Sequence, residues 1–172
     1  IKYPLIIKSN NGSGSNDIYK AENEKELKFF INYNPNSIAQ EFIFGKEYTI
    51  DLFSDFDKNV ISVVPRERIE TFGGESYKGK TVKDEEIINQ TKKLAETIGS
   101  FGHITVQCIK NENKIMFIEI NPRFGGGASL SFAAGVNTPR MLIKLLMGKK
   151  INHTIGNFKE LTMLRHTKDI FI

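Results

Sequence analysis

A chain of 172 residues, 40% hydrophobic and 26% charged, is long enough for one well-buried core or two small lobes and has an ordinary globular makeup. Its net charge of +4 comes from scattered lysines, which argues against the basic face that nucleic-acid binding demands. The single cysteine, Cys108, excludes an internal disulfide, and no apolar run approaches the roughly 18 residues of a membrane span.

Leu5-Ile6-Ile7-Lys8 reads as a short apolar strand that delivers a lysine at its end, and Ser9 to Asn16 as a polar loop. Asn23, with Glu26 three residues later, caps an amphipathic helix through Leu27, Phe30 and Ile31. Ile38–Ile43 is a strand with a break at Gly45. Glu47–Phe53 and Val60–Val64 are two antiparallel strands joined by the Asp55–Asn59 turn. Arg66 to Lys83 is polar and glycine-punctuated, with no clear periodicity. Asp84 caps a second helix with Ile87, Ile88, Thr91, Leu94, Ala95 and Ile98 on one face and Gly99 as its stop. Ile104–Ile109 and Ile115–Asn121 form a hairpin around Asn111–Asn113, where an odd loop keeps Gln107 on the face of Glu119 and Asn121. Thr138 and Pro139 open a last helix that ends at Gly148, and Leu161–Ile172 alternates as a closing strand. No repeat or low-complexity linker appears, and the boundary between a smaller lobe, 1–44, and a larger one, 45–172, falls at Phe44-Gly45.

Cys108 sits in an apolar run, where a buried, inert thiol is the simplest expectation, and His103, His153 and His166 lack metal-ligand spacing. With no membrane span and no secretory signal, a cytoplasmic location is expected. The abrupt start at Ile1-Lys2-Tyr3-Pro4, without an initiator Met, reads as a fragment of a longer protein.

The stretch Phe117-Ile118-Glu119-Ile120-Asn121-Pro122-Arg123-Phe124-Gly125-Gly126-Gly127 carries the most chemistry. Glu119 and Asn121 alternate with isoleucines, so they project together from one strand face. A carboxylate beside an amide oxygen suits a hard cation such as Mg²⁺. Pro122 stops the strand, and the guanidinium of Arg123 can reach back over the same spot; a cation beside an arginine fork is how proteins hold a phosphoryl group. An isolated Glu-x-Asn would read more simply as two solvated residues on an edge strand. The adjoining Pro-Arg and glycine run, with a lysine and Gly-rich loop at the other end of the chain, favour the cation site.

That loop follows Lys8. Gly12 and Gly14 let backbone N–H groups approach phosphate oxygens, and Ser13 and Ser15 add hydroxyl donors. No Gly-Lys-Ser/Thr ends it, so it is not a Walker A loop, and taken alone it reads as an ordinary linker. Gln40-Glu41-Phe42-Ile43 and Glu47 form a third group: strand backbone can pair with adenine, and a carboxylate can accept from its amine or from ribose hydroxyls. Solvated acidic residues are the alternative. Arg66 and Arg68, two apart on an extended segment, share a face; they either grip a carboxylate or acyl phosphate, or are solvated charges at a sheet margin.

Ile118-Glu119-Ile120-Asn121-Pro122-Arg123, followed by Ala133-Ala134-Gly135-Val136-Asn137-Thr138-Pro139, resembles the end of an ATP-grasp domain, most nearly in the carbamoyl-phosphate synthase large-subunit group and its stand-alone relatives. The likeness runs over the whole chain in the right order. It implies an α+β fold, the second part of an ATP-grasp domain, with a mostly antiparallel sheet flanked by helices. It implies Mg²⁺ ligands at Gln107, Glu119 and Asn121, with Mn²⁺ as a substitute, and contact of Arg123 with the transferred phosphate. Lys8 would contact the nucleotide phosphates under the loop of Gly12, Ser13, Gly14 and Ser15. Glu41 and the backbone of Ile43 would sit at adenine, and Glu47 at the ribose. The chain departs from the usual pattern at Ser9, where Pro is common, and at Asp17, where Gly is common. Its glycine run, Gly125–Gly127, looks more like the stand-alone carboxylate–amine ligases.

The activity implied is an ATP-dependent carboxylate–amine ligase working through an acyl phosphate. ATP, a small carboxylate and an amine donor are the partners, with no membrane or nucleic acid, and a homo-oligomer is compatible with them. The isolated fragment is expected to be inactive. The alternative is a nucleotide-binding module, non-catalytic or one subunit of a split enzyme, that needs the missing N-terminal region.

Overall fold

The structure, a computed structural model, describes residues 1–12, 17–112 and 114–171. The chain divides into two compact units, residues 1–44 with 72–75, and residues 45–71 with 76–172.

In the first unit β1 (Leu5–Ser9) is the middle strand of three, flanked antiparallel by β2 (Ile18–Ala21) and, after helix α1 (Glu24–Tyr33), by β3 (Ser37–Glu41). Ile7, Ala21 and Leu27 form its small core, with Tyr3, Leu5, Tyr19 and Phe30 packed around them. The start of α1 follows the capping logic of its sequence. Asn23 accepts from the Glu26 N–H at 3.0 Å, and Glu26 reaches back to accept from the Glu22 N–H at 2.9 Å. Strand β3 ends at Glu41 rather than at the expected Ile43; the Phe42 N–H still donates to the Pro4 carbonyl at 3.2 Å.

The second unit holds β4 (Lys46–Ser54), β5 (Val60–Phe72), β6 (Glu75–Thr81), α2 (Glu85–Ile98), β7 (Gly102–Lys110), β8 (Ile115–Asn121), α3 (Ser129–Ala133), α4 (Thr138–Leu146) and β9 (Thr162–Leu164). Its six-stranded sheet has the order β8-β7-β4-β5-β6-β9. Tyr48, Ile50 and Leu52 stand opposite Cys108, Val106 and Ile104, and this face builds the core with Ile87, Ile88 and Ala95 of α2. The other face is polar: Thr49 opposes both Arg66 and Gln107, and Asp51 opposes Thr105. Helix α2 is capped by Asp84, whose carboxylate accepts from the Ile87 N–H at 3.1 Å, and ends at Gly99 with φ 66°, where a side chain would be strained.

Further elements, in the second unit, differ from expectation. Arg66 to Lys83 is not irregular: β5 continues to Phe72, turns at Gly73-Gly74 and returns as β6. The closing strand shrinks to Thr162–Leu164, which pairs with Lys78–Lys80. Between the glycine run and α4 the chain makes the short helix α3. Among the described residues, no helix is long and apolar enough to cross a membrane.

Candidate functional site

The hairpin of β7 and β8 carries the proposed cation ligands, and one extra residue decides how they meet. From the turn, Lys110 pairs with Ile115, Ile109 with Met116 and Cys108 with Phe117; the register then shifts, and Gln107 pairs with Glu119. Without that bulge Gln107 would face Ile118, and Glu119 would share the core face with Val106. The extra residue, rather than an odd loop, therefore brings Glu119 to the polar face; the loop itself spans the even stretch 111–114. Asn121 follows on the same face, opposite Thr105.

Asn121 donates its Nδ2 hydrogen to Glu119 Oε1. The Gln107 amide makes no hydrogen bond among the described residues, and neither does Asn121 Oδ1. The donor set is thus a carboxylate and two amide oxygens, without nitrogen or sulfur. It fits a hard cation such as Mg²⁺ once the Asn121 amide turns over. Among the described residues no three His, Cys, Asp or Glu side chains cluster for a metal, so a cation here would draw on amide oxygens.

Arg123 follows in an exposed turn. Its N–H donates to the Asn121 carbonyl at 2.8 Å, its carbonyl accepts from Thr105 Oγ1 at 2.9 Å, and its guanidinium makes a 3.4 Å contact with the Phe124 carbonyl. The turn is held below by a buried network that the sequence reading did not find. Arg66 is 2% exposed and forks onto Asp51, which is fully buried, through Nε–Oδ2 at 2.7 Å and Nη2–Oδ1 at 3.1 Å. Arg66 is therefore neither a solvated charge nor free to grip a substrate. Ser131 of α3 donates to Asp51 Oδ2 at 2.5 Å, and His103 Nε2 lies 3.7 Å from Oδ1. Burial alone would raise the Asp51 carboxyl; the Arg66 charge, the nearby His103 and the bonds from Arg66 and Ser131 hold it below the usual carboxylate range. His103 also meets Thr138 Oγ1 at 2.9 Å and stacks on Phe124, with ring centroids 4.3 Å apart.

A signal for this network was present. Glu47, Thr49 and Asp51 on β4, Arg66 and Arg68 on β5, and Thr105 and Gln107 on β7 each keep polar groups at period two on one face. Arg68 contacts Glu47 at 3.0 Å and Thr49 Oγ1 at 3.2 Å, so Glu47, placed at the ribose by resemblance, is an ion-pair partner here.

In the first unit Lys8 pairs with Ile18 and Ile38, on the face away from the Ile7 core, and makes no hydrogen bond or ion pair among the described residues. Glu41 pairs with Leu5, on the Ala21 face, so its side chain and that of Lys8 lie on opposite faces of the sheet. Gln40, paired with Ile6, shares the Lys8 face. Ile43 lies in the irregular segment after β3, and Gly12 closes a turn with its N–H 3.4 Å from the Ser9 carbonyl. Ser13, Gly14 and Ser15 lie outside the described residues. Cys108 is fully buried and its thiol is pushed up to about 12 by desolvation, as expected of an inert core residue.

Comparison with known proteins joins these observations. The chain is 26% identical over 177 residues to the carbamoyl phosphate synthase large chain of Clostridium perfringens (strain SM101 / Type A), covering 92% of this chain and 16% of that relative. The chain thus spans about a sixth of the length of the curated relative it matches. Its fold resembles the biotin carboxylase domain of Hydrogenobacter thermophilus 2-oxoglutarate carboxylase, solved with MgADP, ADP and bicarbonate. There the TM-score is 0.74 at 21% identity, covering 88% of this chain and 38% of that one. N5-carboxyaminoimidazole synthetase from Staphylococcus aureus, solved with ADP, matches with a TM-score of 0.72 at 20% identity, covering 88% and 43%. The model of the ATP-grasp domain matches residues 1–127, and the chain belongs to the ATP-grasp family.

Proposed function

We propose that this chain is the nucleotide- and phosphate-handling part of an ATP-dependent ligase that joins a carboxylate to an amine. A carboxylate oxygen attacks the γ-phosphorus of ATP, forming an acyl phosphate as the bond to ADP breaks. The amine nitrogen then attacks the acyl carbon, phosphate departs, and the amine proton passes to solvent. The observation that carries this reading is the register of Gln107 with Glu119, with Asn121 beside them and Arg123 beyond the strand end. Those three side chains would hold Mg²⁺, which supplies charge neutralisation at the β- and γ-phosphates when bound. Arg123 would stabilise the charge on the transferred group, and Lys8 would orient the nucleotide phosphates. The Ile43 backbone would meet adenine, with Gln40 rather than Glu41 as the β3 side chain on the Lys8 face, and Glu47, released from Arg68, would reach the ribose.

The relatives support the class. One is named carbamoyl phosphate synthase large chain, and the structural neighbours were solved with MgADP and bicarbonate or with ADP. Acceptor-dependent ADP release by the full-length protein, screened over a panel of small carboxylates with ammonia and amino acids as donors, tests the reading. Release that requires both an acid and an amine is expected. Nucleotide binding without ADP release under any acceptor would instead support a binding module that performs no chemistry.

A further inference from the structure

We infer that the buried Asp51–Arg66 pair positions Arg123 by fixing the Pro122–Gly127 turn, an inference that rests on Arg123 contacting the transferred phosphate.

The turn is tied down at both ends. At its start, Thr105 Oγ1 donates to the Arg123 carbonyl at 2.9 Å. At its end the chain passes so close to Arg66 that a Cβ on Gly127 would overlap Nη1, and one on Gly125 would lie 3.2 Å from the Thr105 side chain and 3.5 Å from Arg66 Nη2. Arg66 cannot yield, because Nε and Nη2 are both spent on Asp51. Just beyond the turn, Ser131 binds the same carboxylate at 2.5 Å, so α3 and β5 share one anchor.

Stability alone does not account for such a pair. Taking two charges out of water costs as much as their attraction returns, and apolar side chains of equal volume often do as well. What an ion pair supplies and an apolar pair does not is a planar fork held in one orientation. Here that fork is the floor on which the glycines rest, and Gly125 and Gly127 allow the backbone to approach it. Arg123 lies two to four residues away, with its main chain bound to Asn121 and Thr105 and its side chain exposed. Its reach is therefore set by the turn.

Gly127→Ala in the full-length protein tests this. Gly127 lies outside the left-handed region, so alanine suits the backbone, and only its collision with Arg66 matters. The expected result is a kcat lowered at least about tenfold with KM for ATP within about twofold. Amide exchange at residues 123–128 should quicken roughly tenfold while β4 and β7 exchange as before. Ser131→Ala, which removes the tether without adding volume, should act in the same direction. In an Arg123→Ala background, Gly127→Ala should cost no more than about twofold further, because the group it positions is gone. Wild-type turnover and exchange in Gly127→Ala, or an undiminished loss in the Arg123→Ala background, would overturn the inference while leaving the role of Arg123 intact. Full turnover by Arg123→Ala itself would remove that role, and the positioning inference with it.

Discussion

Gln107 and Glu119 face each other across the β7–β8 ladder because Ile118 is one residue too many for the strand beside it. The insertion divides β8 into two functions. Below it, Ile115 and Phe117 pair with Lys110 and Cys108 and serve the core; above it, Glu119 and Asn121 turn to the polar face. Bulges re-aim side chains in this way, and here the re-aimed pair is the one proposed to hold the cation.

Glu119→Gln keeps the shape and hydrogen-bonding capacity of the site and removes its negative charge. Affinity for ATP with Mg²⁺ should fall at least about tenfold, and affinity without the metal should change little. Calorimetric titration with and without Mg²⁺ separates the two. Equal affinity of the wild type and Glu119→Gln for ATP with Mg²⁺ would relieve Glu119 of its role as a ligand.

The parts of this chain legible from sequence are those whose signals lie close together. Asn23 with Glu26, Asp84 with Gly99, and Thr138 with Pro139 mark helix ends by signals within a turn, although the residue that caps the last helix is Asn137. The alternation of Glu119 and Asn121 likewise needs only its own strand. The extension of β5 was hidden because Arg66, Glu67 and Arg68 find partners far along the chain: Asp51, Lys46, Lys80 and Glu47. A buried arginine in a strand reads as an exposed one until its carboxylate is found. The bulge at Ile118 also has no local mark, since either register of β8 alternates equally well.

Asp51 makes stability depend on pH in a defined direction. Its carboxyl is held below the usual range, so the unfolded chain takes up the proton first as pH falls. Its contribution is complete above about pH 4, the ordinary unfolded value, and is lost as pH drops through the folded one. Asp51→Asn should flatten the acid limb of a stability profile measured by urea unfolding. Asp51→Ala, which leaves the Arg66 guanidinium buried and unpaired, should cost about 3–5 kcal/mol near neutrality. An unchanged acid limb in the Asn variant would assign acid sensitivity to other carboxylates, Asp84 beside Lys110 first among them.

Cys108 reports on the core. With its thiol buried and pushed up to about 12, a thiol reagent at pH 8 should find almost no thiolate in the folded protein. Labelling should therefore track unfolding, with a rate that rises along the urea transition. Labelling at the rate of a free thiol in native buffer would mean that β7 opens locally.

Arg123 separates catalysis from binding. Its guanidinium is exposed, and its main-chain anchors to Asn121 and Thr105 do not involve the side chain, so Arg123→Ala should leave the turn in place. A donor aimed at charge that develops during transfer acts on the transition state more than on bound ATP. Turnover, followed as acceptor-dependent ADP release, should fall on the order of 10²-fold, while nucleotide affinity falls much less. Arg123→Lys keeps the charge but not the fork, and an intermediate rate is expected if bidentate contact matters. Equal losses in turnover and in nucleotide affinity would make Arg123 a binding group for ground-state phosphate. Wild-type turnover would leave it a cap on the end of β8, and the transfer step would then need another cation to balance the charge that builds as ADP departs.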